Sequence, residues 1–338
     1  LENFIMKKFS LLFLFVIFFS LKGFPQTEIR FEDKVRINEA LKISQFVSDN
    51  IWKGWSKTDF AILFISDSLE YLINHPKPSE DFTQSYFDSY LGAKIYVRKK
   101  IFQSNFLATF PAVNGVNTVV VGTPENTGRK SLTWVITLLH EHFHQYQFGY
   151  EKYREALDKL DLKDGDESGM WILNYKFPYE DTVVNKAFNE LKTKLVSAYQ
   201  NINTKSFKKK TAEYLKSKKD FEKIVSEKDS KYLEFQLWQE GIARCTEYDI
   251  LAYLVKNDYM LSGDFKSLND YEPIADNYTK RLKRLDEEIN KVTLYENQRD
   301  CVYSFGAIEG LILDKYMPNW REKYFKNIFS TTKLFTKR

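Results

Sequence analysis

Apolar residues recur at helical spacing between Glu32 and Ile51 (Val35, Ala40, Leu41, Ile43, Val47, Ile51), and Gly54 ends the pattern. This predicts one helix. The period then shortens. Phe60 to Ile65 and Leu69 to Ile73 are short apolar runs flanking Ser66-Asp67-Ser68, the pattern of a hairpin, and the proline-containing stretch His75 to Ser79 closes it. Ala93, Ile95 and Val97 alternate with Lys94, Tyr96 and Arg98, while Phe106 to Phe110 and Thr118 to Val121 are β-branched or aromatic runs bounded by Asn, Gly and Pro. Together these predict a mostly antiparallel sheet of about five strands.

Beyond Ser131 the patterns become long and helical, over 131–149, 182–200, about 208–256, 275–293 and 298–317. Strands first and helices after is the order of an α+β fold. Residues 26–338 are expected to form a single domain, with a sheet-rich half at 26–130 and a mainly helical half at 131–338. Asp161 to Tyr179, with Gly165, Gly169, Trp171 and Pro178, reads as a long loop able to border a cleft. Its acidic start lacks the spacing of a calcium-binding loop.

The chain has 338 residues, 43% of them hydrophobic and 16% aromatic, so it has material for a substantial core and disorder is not the expectation. Its 50 basic and 46 acidic residues nearly balance and are spread along the chain, which argues against a dedicated nucleic-acid or anionic-membrane surface. The lysines between 205 and 231 (Lys208, Lys209, Lys210, Lys216, Lys218, Lys219) read as a solvated helical face.

The N-terminus changes the picture. Lys7 and Lys8 precede an apolar run from Phe9 to Phe19 broken only by Ser10, and the chain turns polar by Gln26. That is the layout of a secretory signal, with Met6 as the expected start, so residues 1–25 are set apart from the fold and the protein is expected to be exported, periplasmic or secreted. The run is shorter than the ~20 residues that cross a bilayer, and no cysteine follows it for lipid attachment. No stable membrane insertion is expected once the signal is removed. In an oxidising compartment Cys245 and Cys301 could pair, or remain as two buried thiols; both readings stand. Two cysteines cannot build a cysteine-rich zinc site, so any metal must be held mainly by histidine and carboxylate.

The chain has four histidines, and three of them fall in His140-Glu141-His142-Phe143-His144, which contains H-E-x-x-H. Leu132, Val135, Leu139, Phe143 and Tyr146 form an apolar stripe at spacings of three and four, with Ser131 placed to cap the start, so the motif lies on a helix. Four residues are about 40° of helical rotation, so His140 and His144 can reach one ion while Glu141 addresses a water on it. His142 points to the other side. A catalytic zinc needs a third protein ligand and one open position. The best donor is Glu240, in Trp238-Gln239-Glu240-Gly241-Ile242-Ala243-Arg244-Cys245-Thr246-Glu247, where Glu240, Arg244 and Glu247 share a helical face and Gly241 and Ala243 allow close packing. An ordinary exposed Glu-Arg pair is the competing reading, but Leu237, Trp238, Ile242 and Ala243 make the stretch apolar enough to be buried.

H-E-x-x-H followed by W-x-E-G-x-A-R-x-x-E resembles the gluzincin metallopeptidases, most closely the membrane-alanyl and leukotriene-hydrolase type of aminopeptidase, as a divergent relative. The resemblance implies a zincin-like fold with Zn2+ on His140, His144 and Glu240, Glu141 as general base and proton shuttle, and Glu247 as a carboxylate orienting a ligand histidine. It further implies an oxyanion-stabilising tyrosine, for which Tyr303 is the candidate, ahead of Gly306 and Gly310 on a predicted helix. Gly122-Thr123-Pro124-Glu125-Asn126 stands where the family carries G-x-M-E-N, making Glu125 a substrate-binding candidate, and the strand Thr118 to Val121 is expected to offer its edge to an extended peptide. The chain departs from the family in the 95 residues between His144 and Glu240, far more than a short helix-turn-helix. The expected substrate is a peptide or protein, with aminopeptidase and endopeptidase action both open. A zinc-binding module without turnover and a zinc hydrolase of non-peptide substrates are the rival readings, and retention of Glu141 counts against the first.

Overall fold

The computed structural model describes residues 28–336. The expected signal lies outside these residues. The first helix, α1 (Phe31–Ile51), buries Val35, Ile37, Ala40, Ile43 and Val47, the face its spacing predicts. Gly54, at φ 90°, then takes a left-handed conformation that other residues adopt at a cost, and turns the chain toward the sheet.

The sheet has six strands, β1 (Ile62–Ile65), β2 (Leu69–Ile73), β3 (Gln84–Asp88), β4 (Ala93–Lys99), β5 (Leu107–Val113) and β6 (Val116–Gly122), in the order β3-β4-β2-β1-β6-β5. The strand missing from the sequence reading is β3. Only Asp88 of it is buried, so it carries no apolar alternation. All pairings are antiparallel except that of β1 with β6, which is parallel. Both of these central strands are buried through Ile62–Ile65 and Val119–Val121. One expectation is overturned here: Thr118 to Val121 lies in β6, bonded to β1 on one side and β5 on the other, and has no edge to offer. The free edge on that side is β5.

The helices follow: α2 (Ser131–Phe148), α3 (Tyr153–Lys159), α4 (Trp171–Asn174), α5 (Thr182–Gln200), α6 (Phe207–Glu222), α7 (Glu227–Gln236), α8 (Ile242–Lys256), α9 (Gly263–Lys266), α10 (Ile274–Lys291), α11 (Leu294–Asn297) and α12 (Cys301–Tyr316). The fold is α+β. The predicted helix over about 208–256 is three segments: the chain breaks before Ser226, whose hydroxyl accepts from the Asp229 N–H to cap α7, and a π-helical turn at Leu237–Gly241 separates α7 from α8. Ser131 does not cap α2. It is the first helical residue, and its hydroxyl donates to Asp270 and accepts from Arg36. The 161–179 loop contains α4, anchored by buried Trp171.

α2 lies between β5 and β6 on one side and α8 on the other, and the main core runs from the sheet through α1 and α2 into the helices. Cys245 and Cys301 are both buried and free, which settles the choice left open by the sequence. The lysine-rich face also has an exception. Lys218 is buried in α6, 2.7 Å from Glu234 and bonded to Glu309 and Thr331, tying the C-terminal segment to the helices. Among the described residues no helix is long and apolar enough to cross a membrane.

Candidate metal centre

In α2 the residues His140, Glu141, His142 and His144 are all buried, at 5% exposure or less. Buried polar groups need partners, so each can be asked where its partner lies. His142 stacks flat on Phe60 with ring centroids 4.0 Å apart, and its Nδ1 pairs with Gln145 Oε1 at 2.8 Å. Burial pushes it down to about 4, so it is neutral; it faces away from the other two.

His140 and His144 converge. Their Nε2 atoms are 3.1 Å apart, and Glu240 Oε2 is 3.3 Å from His144 Nε2 and 3.7 Å from His140 Nε2. Two ligands 2.0–2.1 Å from an ion at the tetrahedral angle stand about 3.4 Å apart, so this triangle has the size of three zinc ligands. The outer nitrogens explain why the triangle faces inward. Gln147 Oε1 is 2.6 Å from His144 Nδ1, while the Gln147 amide Nε2 donates to the Trp238 and Gln239 carbonyls at 3.3 and 3.0 Å and to Tyr324 Oη at 2.7 Å. The amide orientation is therefore determined, Nδ1 of His144 must carry the proton, and its Nε2 presents a lone pair.

On the other ring, Glu247 Oε1 approaches His140 Nδ1 to 2.8 Å, off the line of an ideal hydrogen bond. Burial works against the Glu247 charge, but Arg244 and Arg281 outweigh it and hold the carboxyl well below the usual range. Two imidazole nitrogens and a carboxylate oxygen thus converge, the two rings sharing one hydrogen bond whose donor depends on the His140 tautomer, and a cation placed among them would meet all three. A proton can serve in part: burial lowers His140, yet Glu240 and Glu247 together raise it to about 9. A divalent ion fits the donor set and the spacing.

Glu240 sits in the π-helical turn, a distortion that recurs at functional sites. The turn lies against α12 at Gly241 and Gly306. A Cβ on Gly306 would stand 2.4 Å from the Gly241 Cα, so neither position has room for a side chain. Sequence reasoning marked both glycines for close approach but had no signal for the π turn.

Glu141 points toward the sheet edge, where Thr109 Oγ1 of β5 lies 2.9 Å from its Oε2 and 2.9 Å from its backbone carbonyl oxygen. Tyr303, near the start of α12, lies 6.4 Å from the His140 ring, and its ring carries Arg244 at 5.3 Å and Arg299 at 5.7 Å. Burial pushes the phenol far above its ordinary range, so it remains a proton donor. Glu125 lies elsewhere, in the turn after β6, at 2.8 Å from Arg30 before α1; it shares no hydrogen bond or ion pair with the histidines. Gln147, Thr109 and Arg299 were not picked out from sequence. Only Gln147 carried a signal, its spacing of three from His144.

A second cluster of Cys245, Asp249 and Asp314 also has metal-ligand spacing, but Arg321 pairs with both carboxylates, at 2.6 and 2.5 Å, and is their cation. No family model, curated protein or solved structure matches this chain.

Proposed function

We propose that this protein is an exported zinc-dependent hydrolase of the gluzincin type, acting on peptides. The observation that carries the reading is the inward-facing triangle of His140 Nε2, His144 Nε2 and Glu240 Oε2, with buried Glu141 on the same helix. Zinc held there would supply Lewis acidity to the scissile carbonyl and lower the pKa of its water toward ~7. The remaining chemistry belongs to the chain. Thr109 holds Glu141 Oε2 and leaves Oε1 to take the proton of the attacking water and pass it to the leaving amine. The Tyr303 hydroxyl, kept protonated by burial, is the donor for the carbonyl oxygen as it gains charge. Gln147 keeps the His144 ring in the tautomer that exposes Nε2, and the Glu247 carboxylate stands 2.8 Å from the outer nitrogen of His140.

An extended peptide would add to the free edge of β5, the strand that bears Thr109. Export rests on residues 1–25 alone, and is tested by locating the protein in cell fractions with and without them.

The deciding experiment is zinc content and peptidase activity of the purified protein beside His144→Ala, Glu240→Ala and Glu141→Gln. We expect one zinc in the parent, weakened binding in the first two variants, and full zinc without turnover in the third. Undiminished zinc in Glu240→Ala would break the gluzincin assignment, and near-normal turnover in Glu141→Gln would remove the base.

A further inference from the structure

The metal centre is surrounded by more positive charge than its ligands need. Arg281 and Arg244 both pair with Glu247, and Arg129, before α2, lies close enough to Glu141 and Glu247 to interact with both. Arg299 approaches from the far side of Glu240. Its Nη1 is 3.9 Å from Glu240 Oε1, beyond hydrogen-bond reach, and this buried nitrogen has no hydrogen-bond partner. Its Nη2 lies 3.6 Å from Asp300, which is exposed at the rim. Four guanidinium groups thus stand around the three buried carboxylates Glu141, Glu240 and Glu247, with Glu288 near Arg244 and Asp300 near Arg299 as the further acidic groups, before any divalent ion is counted. Once such an ion takes up the charge of Glu240, the carboxylate left to Arg299 is the exposed Asp300, with the Tyr303 side chain as its other polar partner.

The backbone holds Arg299 in this position at a cost. Gln298, immediately before it, has φ 46° and ψ −128°, a conformation that residues other than glycine seldom adopt. The strain places the guanidinium between Glu240 and the Tyr303 ring, with Arg244 over the same ring. An unsatisfied buried N–H beside a reaction centre is completed by an acceptor, and a carboxylate takes a guanidinium in two parallel hydrogen bonds.

We propose that Arg299, backed by Arg244 and Arg129, binds a carboxylate of the substrate beside the metal centre, so that the preferred substrates are anionic peptides. This rests on the hydrolase reading given above. The carboxylate is either the C-terminus of the peptide or an Asp or Glu side chain next to the scissile bond, and the two are separable by probe.

The test is equilibrium binding by calorimetry to the zinc-loaded Glu141→Gln protein, using three short N-acetylated peptides. One is neutral with a free C-terminus, one is its C-terminal amide, and one is the amide carrying a single Glu. We expect at least one carboxylate peptide to bind tenfold or more tightly than the neutral amide, the free-terminus or the Glu peptide identifying which carboxylate is read. Arg299→Gln should remove most of that difference and Arg299→Lys should keep part of it. Equal binding of all three peptides to the parent overturns the proposal and needs no variant. A preference that survives Arg299→Gln overturns it as well, because the carboxylate would then be held by the ion itself. Zinc measured on the same samples keeps the two readings apart: an Arg299-dependent preference in protein that binds no zinc defeats the hydrolase and leaves the anion site standing.

Discussion

The contact between Gly241 and Gly306 makes a specific prediction, because it clamps the turn that carries Glu240. In Gly306→Ala the new Cβ would meet the Gly241 Cα at 2.4 Å and the Leu237 carbonyl oxygen at 3.3 Å. Carbon atoms in ordinary contact are about 3.5 Å apart or more, so α12 and the π turn must separate by ~1 Å. Both opposing groups are backbone and cannot swing aside. Overpacking of this kind costs roughly 1–3 kcal/mol, and the better helix propensity of alanine returns at most ~1, which leaves a loss of about 1–2 kcal/mol. Metal sites tolerate displacements of about 0.2 Å in a ligand, so the same shift should weaken zinc binding tenfold or more. Denaturant unfolding in the presence of a chelator measures the first effect and competition with a chromogenic chelator the second. Gly263→Ala is the control, since a Cβ there meets nothing within 4 Å. If Gly306→Ala unfolded at the same denaturant concentration as the parent and the control, the close-packing argument would be refuted.

Other expectations follow from the hydrogen bonds. Gln147→Leu removes the acceptor that fixes the His144 tautomer and should weaken zinc binding by about 10–100-fold, measured by the same competition. Thr109→Val should leave zinc content unchanged and lower kcat by roughly tenfold or more; unchanged kcat would show that Glu141 needs no help from β5. His140, raised to about 9, must lose its proton to a metal, so zinc binding near neutral pH should release at least one proton, read from calorimetry in buffers of different ionisation enthalpy. In the zinc-free protein the same raised value stabilises the fold by about 3 kcal/mol below pH ~6.5, and that contribution is lost as pH rises through about 9. Cys245 and Cys301 should resist a thiol reagent in the native protein and both react after unfolding.

The local periods of the chain carry much of this architecture. Alternation and short apolar runs locate β1, β2, β4, β5 and β6, and the 3.6-residue period locates α1, α2, α5, α10 and α12 within a few residues. Helical spacing alone sets His140 and His144 one turn apart with Glu141 beside them, and sets Glu240 and Glu247 on a common face. The misses share a cause. β3 is solvated and leaves no apolar trace; the π turn changes the helical count by one residue without any change of composition; Lys218 looks like its solvated neighbours until Glu234 and Glu309 enclose it.

What the sequence by itself determined, then, is which side chains each element presents and at what spacing, because backbone geometry repeats within an element. Only the tertiary structure decided which elements meet: that β6 is interior and β5 is the edge, that Glu240 crosses 95 residues of chain to reach His144, that Gln147 holds the outer nitrogen of His144 and Glu247 stands beside that of His140, and that Arg299 arrives beside Glu240 with one buried nitrogen lacking a hydrogen bond. These are matters of packing, set by the burial of surfaces distant in the chain, and no local period encodes them.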